Sequence, residues 1–124
     1  MDNTYQSQIS TYLADLVTKT KQEQISWTKV NPTTFVANVP KVNARLTLQK
    51  TTVPTRIQVG SALRIINVVT YVLNLTDMQN NSVVLMLNVK ENETSYGTLT
   101  ELFNVIDDAT KKTGAELLKR IVEG

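Results

Sequence analysis

The chain has 124 residues, 41% of them apolar and 19% charged, with a net charge of +2 and neither Cys nor His. That length suits one domain, which buries roughly two-thirds of its unfolded surface and needs no disulfide or metal to fold. Without Cys and His there is no thiol nucleophile, no thiolate or imidazole metal site and no imidazole base. Most hydrolase and transferase mechanisms are then hard to write, and no cofactor is implied.

Asn3 or Thr4 can cap a first helix. Tyr5, Ile9, Tyr12, Leu13, Leu16 and Val17 recur at three- and four-residue steps, which predicts an amphipathic helix to about Lys21. Ile25 and Trp27 alternate with Ser26, and Asn31-Pro32 makes a turn. Trp27 is the only tryptophan. Set between a helix and the first strand, it reads as a core plug rather than a ligand-stacking or interface residue.

Residues 33–39 read as a strand with Phe35, Ala37 and Val39 on one side, ended by Pro40. Residues 43–51 form another, with Ala44, Leu46 and Leu48 inward and Arg45, Thr47 and Gln49 outward. Val53-Pro54 is expected to interrupt it. Ile57 and Val59 then make a short alternation before Gly60, where a bend or bulge is expected.

Residues 68–89 carry the clearest pattern. Val69, Tyr71, Leu73 and Leu75 alternate with polar or smaller residues, and Val83, Leu85, Leu87 and Val89 repeat the pattern after a polar gap. Period two puts each set on one face of a pleated hairpin. A two-residue turn at Asn80-Asn81 would pair Leu75 with Met86 and split the apolar rows. An odd loop such as 79–81 pairs Leu75 with Leu85, Leu73 with Leu87 and Tyr71 with Val89, and keeps the rows together. Asn81 suits the left-handed residue that closes such a loop.

Residues 90–97 are polar, and Tyr96 among them has no core periodicity to explain it. Thr98 with Glu101 forms a capping box. Leu99, Phe103, Ile106, Thr110, Leu117 and Ile121 then fall along one line, predicting a single helix to about Val122. Gly114 costs it about 1 kcal/mol against Ala and marks a kink or a close contact.

Neither helix separates two strands, so nothing argues for a parallel sheet. The expected fold is a single α+β domain over residues 1–124. It has a mostly antiparallel sheet of four to five strands, flanked in sequence by an N-terminal and a long C-terminal helix packed on one face. The layout resembles that of many small proteins of bacteria and their phages, without the residue motif of any family. No signal-peptide pattern or membrane-length apolar run is present, so a cytoplasmic location and no membrane partner are expected.

Charge is ordered unevenly. From residue 24 to 76 there are six bases (Lys29, Lys41, Arg45, Lys50, Arg56 and Arg64) and no acid, while the other seven bases and eleven acids leave the remainder at −4. If Arg45 and Arg56 point away from the core, an uncovered sheet face would carry Arg45, Arg56 and Arg64 among Gln49 and Gln58. Such a face fits an acidic protein or an anionic small ligand, because guanidinium offers paired donors to carboxylate and phosphate. The plainer reading is that these bases solvate the sheet and discourage edge-to-edge pairing. Nucleic acid fits poorly: Trp27, Phe35 and Tyr71 fall on core faces, and the last helix carries i,i+4 pairs of opposite sign.

Among carboxylates, Asp107 and Asp108 point about 100° apart on a helix and do not converge. Glu91 and Glu93 could hold a hard cation only weakly, and the loop after Asp77 lacks the Gly and Glu of a calcium site. Surface charge explains them all. Self-association has a firmer basis. Val72, Val84 and Met86 lie on the hairpin's other face, and Ile65, Ile66 and Val68 add apolar groups on both faces, so a second cover is needed. A homo-oligomer, with a dimer favoured, is expected.

The composite expectation is a non-enzymatic, self-associating binding protein that presents a basic sheet surface to an acidic partner or anionic ligand. Its alternatives are a structural subunit of a larger bacterial or phage assembly, and an enzyme working through carboxylates alone, with or without Mg²⁺.

Overall fold

A computed structural model describes residues 3–124, and their side chains from residue 7 onward. The proposed cap at Asn3 or Thr4 and the place of Tyr5 therefore lie outside the described side chains. Helix α1 (Asn3–Lys21) is followed by strands β1 (Thr28–Asn31), β2 (Thr34–Val39), β3 (Ala44–Val59), β4 (Ala62–Asp77) and β5 (Ser82–Lys90), and by helix α2 (Tyr96–Glu123). The strands form one antiparallel meander in the order β1-β2-β3-β4-β5. This is the α+β architecture expected from the alternation.

Leu13 and Val17 of α1, Phe35, Leu48, Tyr71, Leu73 and Val89 of the sheet, and Leu99, Leu102, Phe103 and Ile106 of α2 make one buried cluster. Both helices therefore pack on the face that carries the odd-numbered residues of β4. Phe103 is the pivot. Its ring meets Phe35 edge-on at 5.1 Å and Tyr71 at 5.8 Å, and the Lys50 ammonium lies 5.5 Å from its centroid. The helices also meet through an ion pair from Lys21 to Glu101 at 2.7 Å.

The central hairpin pairs Leu75 with Leu85, Leu73 with Leu87 and Tyr71 with Val89, and Asn81 has a φ of 54°. The register holds, although the loop differs. Asp77 opposes Ser82, leaving four loop residues, and a shift beside Leu75 inserts Val84 as an extra residue. The bulge restores the parity that an even loop would have broken.

Other expectations are corrected. Tyr12 is 67% exposed, outside the apolar stripe. Helix α2 begins at Tyr96, two residues before the capping box, after Ser95 with a φ of 76° and no side-chain cap. Glu101 is engaged by Lys21 instead of by a cap. Tyr96 gains a role: its ring lies 5.3 Å from that of Tyr71. Residues 28–31, read only as the approach to a turn, pair with β2, and the Asn31 carboxamide oxygen accepts the Thr33 N–H at 3.0 Å.

The largest correction is Pro54, which does not interrupt β3. The pairing of β3 with β4 is unbroken from Ala44↔Asp77 to Val59↔Ala62. The Lys50 N–H bonds the Thr33 carbonyl on the β2 side, so by alternation the nitrogen of Pro54 also faces that side. The β2 partner ends at Thr34↔Gln49. A missing N–H there forfeits no ladder bond. Gly60, with a φ of 64°, then turns the chain in two residues, since Val59 pairs with Ala62. A positive φ at the first of two turn residues matches the twist of a hairpin and comes at little steric cost to Gly.

Candidate interaction surface

Beyond Gln49 and Thr70 the long hairpin has lost both neighbours. β2 stops opposite Gln49, and β5 stops at Lys90 opposite Thr70. What remains, residues 52–59 paired with residues 62–69, is a two-stranded ribbon about 25 Å long at 3.3 Å per residue. It leaves the helices behind, because nothing on it belongs to the core cluster except half-buried Val69. Val53, Val59, Leu63, Ile65 and Ile66 are exposed, Leu63 and Ile65 by two-thirds. Its only charges are Arg56 and Arg64.

The expected basic residues divide between two places. Arg45 and Gln49 sit on the face away from the helices, opposite Thr76 and Val72. The Arg45 Nε donates to Asn38 Oδ1 at 2.9 Å. Arg56 and Gln58 alternate with the other parity, on the side that Leu46 and Leu48 use in the body. Arg64 opposes Ile57 on the Arg45 side. Arg45 lies about 35 Å along the strand from Arg56, so the two never serve one small anion. Arg56 and Arg64 lie one register step apart on the ribbon and project from its opposite faces.

Val84 and Met86 are exposed by 58% and 61%, with Val83 beside them at 53%. Val72 is half-buried. On the same sheet face, the Thr70 hydroxyl and the Asn74 carboxamide oxygen are buried without a protein partner. Helix α2 shows a related asymmetry: its stripe is buried at Leu99, Phe103 and Ile106, whereas Leu117, Leu118, Ile121 and Val122 are exposed.

Trp27 is half-buried against the core and its Nε1–H donates to Thr20 Oγ1 at 3.2 Å. It lines an open cleft of about 700 Å³ between the α1–β1 connection and α2, opposite Ile106 and Gly114. Gly114 does not end α2, and makes no close contact, since a Cβ there would meet nothing within 4 Å. Three of the candidate carboxylates are engaged elsewhere. Glu93 accepts the Lys90 N–H at 2.8 Å, and Asp77 accepts the Gln79 N–H at 2.9 Å. Asp107 is shared by Lys111 at 3.1 Å and Lys29 at 3.7 Å. Among the described residues no three Asp or Glu side chains converge as a metal site would require, and no helix is long and apolar enough to cross a membrane.

Comparison of the chain with protein-family models, with curated proteins and with solved structures finds no match.

Proposed function

We propose that this chain is a non-enzymatic binding protein that self-associates and offers the β3–β4 ribbon to an acidic partner protein. The observation that carries the reading is the ribbon itself. A two-stranded hairpin with no third strand is marginal in water, and exposed apolar side chains contiguous over such a length mark interaction sites. Arg56 and Arg64, with no carboxylate on the ribbon to neutralise them, set the sign of what it meets. Poly-L-glutamate titrated into the protein at low salt tests this. Arg56→Glu combined with Arg64→Glu is expected to weaken binding at least tenfold while leaving the melting temperature within about 2 °C, as for exposed substitutions. Unchanged affinity in the double variant would remove the ribbon from the reading.

Self-association rests on Val84 and Met86, exposed on the uncovered sheet face. Sedimentation velocity at micromolar concentration is expected to give a mass above one chain, and a clean monomer would end this half of the proposal. A second reading, a subunit of a larger assembly, is favoured by the exposed apolar end of α2, where Leu117, Leu118, Ile121 and Val122 have no cover within the chain.

A further inference from the structure

The ribbon has two free backbone edges, and they are not alike. The Lys90 N–H bonds the Glu93 carboxylate at 2.8 Å and its carbonyl accepts the Glu93 N–H at 2.9 Å, so neither group serves the β4 ladder. Lys90 opposes Thr70. The Thr70 backbone accordingly turns toward β3, where its carbonyl accepts the Thr51 hydroxyl at 3.4 Å. Alternation then turns the even-numbered residues of β4 toward β3 and the odd-numbered ones toward the β5 side. Past the end of β5, the N–H and C=O groups of Leu63, Ile65, Asn67 and Val69 therefore turn to the side where no strand pairs with β4. Among the described residues no other backbone or side-chain group bonds them.

On the opposite edge, the outward-facing backbone belongs to Thr52, Pro54, Arg56 and Gln58. Pro54 interrupts that row of donors, a common guard against strand pairing. The β4 edge has no such guard: residues 62–69 include no Pro, no Gly and one charge, Arg64. It also continues the line of β5. Two ribbons paired through this edge would set the Arg64 guanidinium of one copy near that of the other on one face, with no acid on either ribbon, which disfavours a second ribbon as the occupant.

We infer that the β4 edge from Leu63 to Val69 takes up an extended acidic segment of the partner protein by strand addition, in line with β5. This rests on the acidic-partner reading above and specifies how the partner is held. Backbone bonds to Leu63, Ile65, Asn67 and Val69 supply the pairing. Apolar side chains of the incoming strand lie beside Leu63 and Ile65 on one face, and its alternate carboxylates reach Arg64 on the other.

The test uses the full chain and a fluorescein-labelled octapeptide of alternating Val and Glu. Its controls are the same peptide N-methylated at alternate residues and one with Lys in place of Glu. The Val-Glu peptide is expected to bind and both controls to bind at least tenfold more weakly. Ile65→Pro is expected to lose the Val-Glu peptide to the same degree while keeping its melting temperature, since the lost N–H faces the free edge. Amide exchange at Leu63, Ile65 and Asn67 is expected to slow on binding. Equal binding of the Val-Glu and N-methylated peptides would overturn strand addition yet leave the acidic-partner reading standing. Equal binding of the Lys peptide, or no binding of the Val-Glu peptide, would overturn both. Should Ile65→Pro not fold, the N-methylated peptide still decides the question.

Discussion

Phe103→Ala is expected to destabilise the fold by about 3–5 kcal/mol, the usual loss for a buried phenylalanine. A lowering of the melting temperature by about 15 °C follows for a domain of this size. The ring touches Phe35 and Tyr71 and lies under Lys50, so its removal opens the seam between α2 and three strands at once. The same truncation farther along the helix, at Leu118, removes a side chain that is 61% exposed and is expected to cost less than about 0.5 kcal/mol. Urea denaturation of the two variants measures the contrast. Equal losses would mean that the far half of α2 is packed against something within the chain.

That contrast explains where the sequence was legible. Side-chain periodicity reports which face of an element can be buried, and it located both helices, the central hairpin and its register. It cannot report where burial stops. Leu117 and Ile121 continue the stripe of Leu99, Phe103 and Ile106 without a break, yet nothing in the chain covers them and they are exposed. Pro54 misled for a related reason. Proline forbids a ladder bond only where a neighbouring strand exists, and whether β2 extends that far is a tertiary fact. The two-residue turn at Gly60 then followed from the unbroken pairing of β3 and β4. The basic bias of the middle segment was visible at once, whereas the division of Arg45 from Arg56 depends on β3 being one long strand.

The proposed binding depends on the ribbon more than on any other part of the molecule, and stability depends on it least. Replacing residues 54–67 by Asn-Gly removes Arg56, Arg64, Leu63, Ile65 and Ile66, and closes the hairpin on the pair Val53↔Val68. That pair has the parity of Val59↔Ala62, which flanks the present two-residue turn, and Asn-Gly is the favoured sequence for such a turn. No residue of the core cluster is lost. The shortened chain is therefore expected to melt within a few degrees of the intact one. Its affinity for acidic polymer is expected to vanish, a larger loss than that of the double Arg56→Glu, Arg64→Glu variant.

The deciding measurement is a calorimetric titration of poly-L-glutamate into the intact and the shortened chains, each first shown to be folded by its melting curve. Heat released by the first and none by the second is what a working ribbon requires. Matching isotherms from two folded proteins would place the binding surface elsewhere and leave the projecting hairpin without a role.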